Sequence, residues 1–497
     1  MNLFFKSIVV CATLVFVIGL AESEKHAQNE THHLSNDTQK ENCTPAAIYE
    51  FPRDGLTREQ RRAGWITIHV LLTCYCFIIL SLVCDNHFVP GIQTLVKKLQ
   101  LSEDVAGASF MAITSASPEL FINCVGTFIT EGDLGVGTVV GSNVFNILAA
   151  PACCGLFARM AFQFECYSII RDGLMYGISV VMLIATLYDD KVYWYEALAF
   201  VLAYVIYIGA MYFDKAIHKK AGACINKCKK HRENYELKKL NGITETHTRP
   251  DSNLIDHQRS ENENLPDDVK TDNEKEEKIE SEEDSKQQLW VFPNKEASYK
   301  KLWWILTWPI VFTLSYTVPN CKKTPNLYPF TLLMCMFWIG TTSYLLAWLI
   351  TAIGDTISIP DSVMGLSFLA VGSSMPEIVS CIIVSKQGQG IMGMSSALGA
   401  NTFEVLLCLG LPWLIKTCFY PKTNGSHWID INSSGLAYNA TCLLSTLIFL
   451  YICLICNRFR LDWKVGLICL IMYGVFLIVG TLIELNFFFV VNLPTCL

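Results

Sequence analysis

The stretch "FMAITSASPELF", residues 110–121, places a proline and a glutamate side by side within an apolar segment. Pro118 lacks the backbone N–H that a helix interior needs, and a carboxylate such as Glu119 costs at least about 2.5 kcal/mol at the centre of a membrane helix. Segments of about 20 apolar residues, the length that crosses a lipid core of about 30 Å, recur along the chain. Because 52% of the 497 residues are hydrophobic and only 17% are charged, we predict an all-α polytopic membrane protein.

The proline and glutamate pair recurs 258 residues later, at Glu377. At this offset residues 105–148 align with residues 363–406 without a gap, and "GSNVF", residues 141–145, falls on "GANTF", residues 399–403. Unrelated membrane helices share Leu and Gly through composition alone, but they seldom share a Pro-Glu pair and a Gly-x-Asn-x-Phe motif at one fixed offset. We infer an internal repeat with two copies.

The rest of the chain divides by composition. A basic residue, an apolar run and a small-residue end predict a cleaved secretory signal, and the polar segment behind it carries N-glycosylation sequons. A long stretch rich in Glu, Asp, Lys and Asn has almost nothing apolar to bury, which predicts a disordered cytoplasmic loop. The predicted segments are a signal peptide 1–21, an extracellular or lumenal segment 22–65 with sequons at Asn29, Asn36 and Asn42, a first transmembrane half 66–213, the loop 214–301 and a second transmembrane half 302–497.

Loop charges predict the orientation, because cytoplasmic loops carry an excess of Lys and Arg. The five apolar segments of the first half satisfy this rule with the N-terminus outside. The second half has six apolar segments, and if all six crossed, the sequons at Asn424 and Asn432 would lie in the cytoplasm. The segment 302–318, which is short and contains Pro309, is therefore predicted not to cross. The result is two inverted-topology five-helix repeats, an arrangement in which transporters bind their substrate at the midplane.

Spacing within each copy brings polar groups to one depth. Glu119 and Asn146 are 27 residues apart, and so are Glu377 and Glu404. A helix rises about 1.5 Å per residue, so 27 residues are enough to leave the midplane, turn and return to it. We therefore expect these four side chains to meet at one level.

Each proline is expected to break its helix. Pro118 and Pro376 remove a backbone donor and free the carbonyl four residues earlier, which belongs to Thr114 and Gly372 respectively. Carboxylates, amides, hydroxyls and freed carbonyls at one depth form a site for a hard cation. Ca²⁺ accepts six to eight such oxygens, whereas Mg²⁺ demands a tighter octahedron, so Ca²⁺ and Na⁺ are the expected ions.

Structural roles compete with this interpretation for each residue taken alone. Either proline could be a simple kink, and Glu119 or Glu377 could be a protonated acid hydrogen-bonded between helices. Asn143 and Asn401 could equally join helices, and the repeated glycines favour packing or turns. The recurrence of the whole set at one offset favours the cation site.

At these residues the chain resembles the potassium-dependent sodium/calcium exchangers of the cation/calcium exchanger superfamily. The resemblance rests on "SPELF" and "GDLGVGTVVGSNVFNIL" in the first copy and on "MPEIV" and "GANTFEVLLCLGLPW" in the second. It implies Na⁺ influx coupled to Ca²⁺ export with K⁺ co-transported, and no resident cofactor. The ligands it implies are a central acidic pair, a flanking pair and hydroxyls, which fall on Glu119, Glu377, Asn146, Glu404, Ser115, Ser373 and Ser374. Thr114, Asn143 and Asn401 complete the predicted set.

The sequence departs from the family pattern at several of these positions. Thr114 and Ala116 stand where the family has glycine and serine, Ala400 replaces a serine, and Glu404 replaces an aspartate that the family links to potassium dependence. The added methylene carries the Glu404 carboxylate further by about 1.5 Å, roughly one carbon–carbon bond. Glu404 is therefore expected to fill space that K⁺ would occupy, which leaves K⁺ coupling open.

The prediction is a sodium-driven calcium exchanger and not an enzyme, since no nucleophile and base at informative spacing accompany the acids. Two alternatives stay open. Clustered carboxylates can titrate, which allows a proton-driven or altered-selectivity cation exchanger, and the lost serines allow a transport-incompetent regulatory homologue. The expected partners are membrane lipid, Na⁺, Ca²⁺ and, if coupling is retained, K⁺; nucleic acid is not expected, and the oligomeric state is not indicated. The plasma membrane and a Golgi-type secretory organelle both fit.

Overall fold

The computed structural model describes most of the predicted apolar segments. The described residues are 47–99, 112–130, 133–157, 162–163, 166–211, 298–319, 321, 325–375, 377–378, 390–419, 428–431, 433–458, 460–488 and 490–492. The predicted signal peptide, the five sequons, Pro376 and nearly all of the predicted cytoplasmic loop lie outside these residues. They stay predictions.

The described part of the chain is almost entirely helical, as predicted. Its helices are α1 (Arg58–Gln60), α2 (Ile66–Val83), α3 (Val89–Leu99), α4 (Ala112–Ser115), α5 (Ser117–Phe128), α6 (Leu134–Phe157), α7 (Cys166–Leu187), α8 (Trp194–Met211), α9 (Ser298–Thr317), α10 (Tyr328–Ile357), α11 (Asp361–Ser373), α12 (Gly390–Phe403), α13 (Gly410–Phe419), α14 (Gly435–Cys456) and α15 (Trp463–Glu484). Wider π-helical turns occur at Arg61–Trp65, Cys84–Phe88, Gly365–Leu369 within α11, and Glu404–Leu409, and 3₁₀ turns at Ala47–Glu50 and Pro325–Leu327.

Eight helical segments of the described chain are long and apolar enough to cross a membrane. They are Arg58–Val96, Leu134–Cys153, Ile169–Leu187, Trp194–Met211, Tyr328–Ile357, Ala397–Phe419, Gly435–Cys456 and Trp463–Glu484. The multi-pass, mostly helical architecture is therefore confirmed. Helix α9 is not among the eight, and the apolar helix α11 is shorter than they are. The assignment of five crossings to each half stays a prediction.

The chain turns at the same place in both copies of the repeat. Helix α4 ends at Ser115, Ala116 leaves helical geometry with φ −96° and ψ 12°, and α5 then begins. In the second copy Ser374, with φ −86° and ψ −1°, follows α11 at the equivalent position. The two interrupted helices thus share their break.

The expectation that Pro118 frees the Thr114 carbonyl is wrong in one respect. Pro118 stands in the first turn of α5, where its missing N–H removes no helical hydrogen bond. The carbonyl of Thr114 instead accepts a hydrogen bond from the Ser117 hydroxyl at 3.0 Å. Spacing alone could not distinguish a kinked helix from a new helix that starts at the proline.

Helices α6 and α11, one from each copy, approach closely because glycines line their contact. A Cβ atom on Gly365 would lie 2.6 Å from the Leu134 carbonyl oxygen, and one on Gly141 would overlap the Leu366 carbonyl. No side chain fits at either position. This contact brings the two copies together at the level of their polar motifs, and it agrees with the packing role considered for the glycines.

Two long helices, α2 and α10, also pack against each other, and a charged network joins their ends. Arg61, which precedes α2, donates to Asp54 at 2.9 Å and to Asp355 near the end of α10 at 2.6 Å. His69 Nε2 lies 3.2 Å from the same Asp54 carboxylate. The network fixes the segment before α2 to the second half of the chain.

Two short antiparallel ribbons connect loops that are distant in sequence. Strand β1 (Phe162–Gln163) pairs with β4 (Arg460–Leu461), and β2 (Lys191–Tyr193) pairs with β3 (Trp428–Asp430). Each ribbon therefore holds a first-half loop and a second-half loop on one side of the molecule.

Contacts divide the chain into two units, Met1–Met211 with Leu314–Leu497, and Tyr212–Thr313. The core of the first unit includes the large buried side chains of Trp413, Tyr176 and Phe145. The polar motifs of both copies lie in this unit.

Candidate cation-binding site

Asn146 of α6 lies at the centre of a buried polar cluster. Its Nδ2 donates to Glu377 Oε2 at 2.6 Å, to Asn401 Oδ1 at 3.1 Å and to Glu404 Oε1 at 3.4 Å. All three acceptors belong to the second copy of the repeat, and Asn146 is only 1% exposed. One amide from the first copy therefore joins three side chains of the second.

Glu404 begins the π-helical turn after α12 and is fully buried. Its Oε2 accepts hydrogen bonds from Ser142 at 2.6 Å and from Asn143 at 3.0 Å, both on α6. These two donors stand within four residues of Asn146, so one face of α6 presents three polar groups to a single carboxylate. The geometry holds Glu404 against the first copy.

Glu119 of α5 is the least satisfied member of the cluster. It is 1% exposed, and neither carboxylate oxygen accepts a hydrogen bond from any described residue. The carboxylates of Glu377 and Glu404 are both close enough to interact with the charge of the Glu119 carboxylate. No described Lys, Arg or His forms an ion pair with these three glutamates.

Two serines complete a reciprocal arrangement between the copies. The Ser373 side chain approaches Glu119, and the Ser115 side chain approaches Glu377. Each hydroxyl donates to the carbonyl three residues earlier, that of Ala370 at 3.3 Å and that of Ala112 at 3.2 Å. Each hydroxyl therefore faces both a carbonyl of its own helix and a carboxylate of the other copy.

Six side-chain oxygen atoms of the predicted ligands are buried without a hydrogen-bond partner in the described part of the chain. They are Glu119 Oε1 and Oε2, Glu377 Oε1, Asn143 Oδ1, Asn146 Oδ1 and Ser374 Oγ. An unpartnered buried acceptor costs about 1–3 kcal/mol, and more if charged, so the cluster is unfavourable as it stands. A hard cation would satisfy several of these oxygens at once.

The ligand set is mixed and not purely acidic. No group of three or more His, Cys, Asp or Glu side chains is arranged to hold a metal ion within the ranges described above. A cation held by the predicted ligands would combine carboxylates with amide and hydroxyl oxygens. Such mixed oxygen sets suit Ca²⁺ and are unsuited to zinc, which favours nitrogen and sulfur ligands.

The broken helix ends are tied to the π-helical turn of the second copy. Asn123 of α5 donates to the Cys408 carbonyl within that turn, and the Cys408 thiol lies 3.6 Å from the Ala116 carbonyl oxygen. A π-helical turn has i→i+5 hydrogen bonds in place of the usual i→i+4 ones and is frequent at functional sites. These contacts therefore fix the turn that presents Glu404 against the break that presents Glu119.

Most of the predicted ligands meet in this cluster. Asn143, Asn146, Glu377, Asn401 and Glu404 are linked by hydrogen bonds, and Glu119, Ser115 and Ser373 lie beside them. Ser374 follows Ser373 in the chain, and its hydroxyl is buried without a described partner. Thr114 is buried, but its carbonyl is already used. Sequence reasoning missed Ser142, which aligns with Ala400. The available signal was the difference between the copies: the second has Ala400, whereas the first keeps a serine at the equivalent position 142.

Comparison with known proteins identifies similar sequences and a similar fold. A family model described as "Sodium/calcium exchanger protein" matches residues 69–213 and 327–482, so α9 falls outside both matched segments. Sodium/potassium/calcium exchanger 3 of Mus musculus is 34% identical over 92% of this chain and 87% of its own length. Sodium/potassium/calcium exchanger 5 of Homo sapiens is 36% identical over 88% of this chain and 87% of its own.

Among solved structures, the crystal structure of the H⁺/Ca²⁺ exchanger CAX has a TM-score of 0.50 with this chain. The match covers 84% of this chain and 86% of that one at 9% sequence identity. At this level of identity the likeness shows a shared fold alone.

Proposed function

The chain belongs to the sodium/calcium exchanger protein family, and from this membership we propose that it is a cation antiporter that moves Ca²⁺ against Na⁺. The observation that carries the proposal is the six unpartnered oxygens of the predicted ligands, together with three glutamates that have no basic partner among the described residues. Two relatives are sodium/potassium/calcium exchangers, which adds K⁺ as a proposed third ion. The chain acts as a transporter and not as an enzyme.

Glu119 and Glu377 are the proposed carboxylate ligands of Ca²⁺. They come from opposite copies, and each has at least one oxygen without a partner. Na⁺ would use the same carboxylates together with the hydroxyls of Ser115, Ser373 and Ser374, since hydroxyl oxygens suit a monovalent hard cation. Because either ion set neutralises the same charges, the two would compete, and competition at one site is what exchange requires.

Alternating access in this proposal depends on the inverted topology, which the two strand pairings support. The β2–β3 ribbon joins Lys191 to Asp430. Apart from α9, the chain between these two residues contains α8, α10, α11 and the run from α12 to α13. If the shorter helix α11 is counted as a crossing beside the three long segments, four crossings return the chain to the same side, whereas a fifth by α9 would not. The pairing therefore favours the proposal that α9 does not cross.

The test is radiolabelled Ca²⁺ uptake into vesicles that contain the purified protein and are loaded with Na⁺. We expect uptake down the outward Na⁺ gradient, and its loss when Na⁺ is equal on both sides. Uptake is then compared with and without K⁺. The absence of Na⁺-driven uptake with and without K⁺, or uptake unchanged in Glu119→Gln, would contradict the proposed exchange.

A proton-coupled exchanger is the second candidate, and Glu119 is the observation that favours it. A buried carboxylate with no donor on either oxygen is relieved by protonation as well as by a cation. The same vesicles with a pH gradient in place of the Na⁺ gradient decide between the two drivers. Ca²⁺ binding without flux under any gradient would instead indicate a regulatory homologue that has lost transport.

A further inference from the structure

Glu484, the last residue of α15, is a buried glutamate outside both copies of the repeat. It is 1% exposed, and no Lys, Arg or His in the described part of the chain forms an ion pair with it. Its carboxylate accepts four hydrogen bonds from neutral side chains. Oε2 accepts from Ser362 at 2.7 Å, Ser433 at 2.8 Å and Asn492 at 3.0 Å, and Oε1 accepts from Asn439 at 2.7 Å.

The hydrogen bond from Ser362 differs from the other three in the helix that it holds. Ser362 stands in the first turn of α11, whereas the other donors belong to α14 and to the segments next to α14 and α15. Helix α11 continues to Ser373 and ends directly before Ser374, which are both proposed ligands of the cation. Glu484 is therefore bonded to the start of a helix whose other end lies at the candidate site.

Helix α11 packs between α6 and α15, and glycines allow the close approach on both sides. A Cβ atom on Gly141 of α6 would overlap the Leu366 carbonyl, and one on Gly480 of α15 would lie 3.0 Å from the Leu366 side chain. Leu366 follows Ser362 by four residues, and Gly480 precedes Glu484 by four. The glycine contact and the hydrogen bond thus lie one after the other along a single contact between antiparallel helices.

The two kinds of contact constrain α11 differently. Glycine contacts set how closely the helices approach, but van der Waals packing has no preferred direction. A hydrogen bond has a preferred distance and angle, so the bond from Ser362 to Glu484 fixes the position of α11 along its axis.

That axial position matters for cation binding. A shift of α11 by one residue would move its ligands by about 1.5 Å, whereas Ca²⁺–oxygen distances vary only within about 2.3–2.6 Å. The Ser373 side chain approaches Glu119 of the first copy, so a shift of α11 would change the geometry between ligands of the two copies.

We propose that Glu484 is a positioning residue, which holds the start of α11 through Ser362 and so keeps Ser373 and Ser374 aligned with the ligands of the first copy. This inference rests on the proposed function, and it adds a helix outside the repeats to the elements that set cation affinity. It concerns hard cations such as Ca²⁺ and Na⁺, because their proposed ligands include oxygens of α11 and of the first copy together.

Ser433 provides a matched control for Ser362. Both serines are 4% exposed, and both donate to the same oxygen of Glu484, at 2.8 Å and 2.7 Å respectively. Ser433 precedes α14, which carries no proposed ligand. Ser433→Ala therefore removes an equivalent donor without releasing α11.

The experiment compares Ser362→Ala, Ser433→Ala and Glu484→Gln with the wild type in the full-length protein. Ca²⁺ uptake into vesicles gives the apparent KM and the maximal rate, and melting temperatures over a range of Ca²⁺ concentrations give binding independently of flux. We expect Ser362→Ala to raise the apparent KM for Ca²⁺ by about tenfold, the equilibrium factor of one hydrogen bond to a carboxylate. Its maximal rate should be kept, because saturating Ca²⁺ restores the binding-competent arrangement.

Ser433→Ala should lower the melting temperature without Ca²⁺ about as much as Ser362→Ala does, and it should keep the wild-type KM. Glu484→Gln should raise the KM less than Ser362→Ala does, because the amide oxygen accepts the same hydroxyls. Asn439 can then turn its unpartnered Oδ1 towards the new amide group.

The proposal is overturned if Ser362→Ala keeps the wild-type KM or lowers only the maximal rate, since the hydrogen bond would then serve stability alone. It is also overturned if Ser433→Ala raises the KM equally. A larger rise in KM for Glu484→Gln than for Ser362→Ala would overturn it as well, because the charge of Glu484 and not its bond to α11 would then matter. Wild-type protein that shows neither flux nor stabilisation by Ca²⁺ would instead contradict the proposed function.

Discussion

The two copies of the repeat share a backbone but differ in chemistry. Both turn at one position, Ala116 and Ser374, and each places a polar side chain 27 residues after its glutamate. In the first copy that side chain is the donor Asn146, and in the second it is the acceptor Glu404, which lies 3.4 Å away. Two glutamates there would repel, and two amides would add no charge. The difference makes the copies complementary across their contact.

A second difference concerns the position four residues before each proline. The first copy has Thr114, whereas the second has Gly372, on which a Cβ atom would overlap the ring of Phe77 from α2. A residue outside the repeat therefore requires glycine in one copy only. The repeat sets where the site lies, and its neighbours decide which chemistry each copy retains.

The largest expected effect comes from removing a carboxylate of the central pair. Glu377→Gln keeps the size of the side chain but deletes its charge and sets an amide against Asn146, which donates to Glu377 at 2.6 Å. Loss of a buried charge interaction costs about 2–5 kcal/mol, so we expect Na⁺-driven Ca²⁺ uptake to fall roughly a hundredfold. The exposed Glu59 gives the control Glu59→Gln, which should transport normally. Uptake by Glu377→Gln within threefold of the wild type would remove Glu377 from the site.

The contact between the copies can be broken without touching a ligand. Gly365→Ala would place a methyl group against the Leu134 carbonyl, and overpacking of this kind costs about 1–3 kcal/mol. We expect a lower melting temperature in detergent and weaker stabilisation by Ca²⁺. Gly474→Ala is the matched control, because nothing lies within 4 Å of the added Cβ, and alanine there should be neutral or slightly stabilising. Equal melting temperatures for the two variants would contradict the close approach of α6 and α11.

The contrast between Thr114 and Gly372 predicts that a side chain at position 372 reduces Ca²⁺ uptake and that a second substitution restores it. Gly372→Ala should reduce Ca²⁺ uptake several-fold, because the new methyl group displaces the Phe77 ring, and overpacking strains the helix that carries Ser373 and Ser374. Phe77→Leu in the same chain should restore much of the uptake, since leucine is smaller than the ring. If the double variant is as impaired as Gly372→Ala, the defect does not arise from Phe77.

Potassium dependence provides a smaller and more selective test of the same asymmetry. Glu404→Asp shortens the side chain by one methylene, which is expected to lengthen the 2.6 Å contact with Ser142 and open space for a monovalent ion. We expect the ratio of Ca²⁺ uptake with K⁺ to uptake without it to rise a few-fold relative to the wild type. The ratio, rather than the absolute rate, is the measurement. An unchanged ratio would show that the length of Glu404 does not control K⁺ coupling.

Sequence could predict the parts of this site that the repeat encodes. One offset located both breaks, and the 27-residue spacing indicated that Glu119, Asn146, Glu377 and Glu404 would meet. It could not show that Pro118 starts a helix, because a kink and a first turn have the same composition. The contact of Phe77 with Gly372 was also beyond reach, since Phe77 comes from a helix without a motif. The Arg61 contact with Asp355 joins residues separated by 294 positions, and no local pattern records it.

The smallest expected effect concerns the network around Arg61, which lies outside both copies of the repeat. It is a change in melting temperature that depends on pH. Burial opposes ionisation of Asp54 and by itself would raise its pKa. The hydrogen bonds from Arg61 and Leu56, together with the charges of Arg61 and His69, outweigh this effect. The Asp54 pKa is therefore held below its ordinary value. A lowered pKa contributes stability that is present above the ordinary value of about 3.9 and is lost as pH falls through the lowered one. Asp54→Asn should therefore lower the melting temperature by about 2 °C, the shift that about 1 kcal/mol produces in a large domain.

That difference from the wild type should persist from pH 7 to pH 5 and shrink only in stronger acid, where the wild-type Asp54 carboxylate is protonated as well. Glu59→Gln, which changes an exposed acid on the adjacent turn, should show no difference at any of these pH values. If the Asp54→Asn difference disappeared between pH 7 and pH 5, the carboxylate would titrate above its ordinary range. The ion pair with Arg61 would then not fix the start of α2 to the end of α10 at neutral pH.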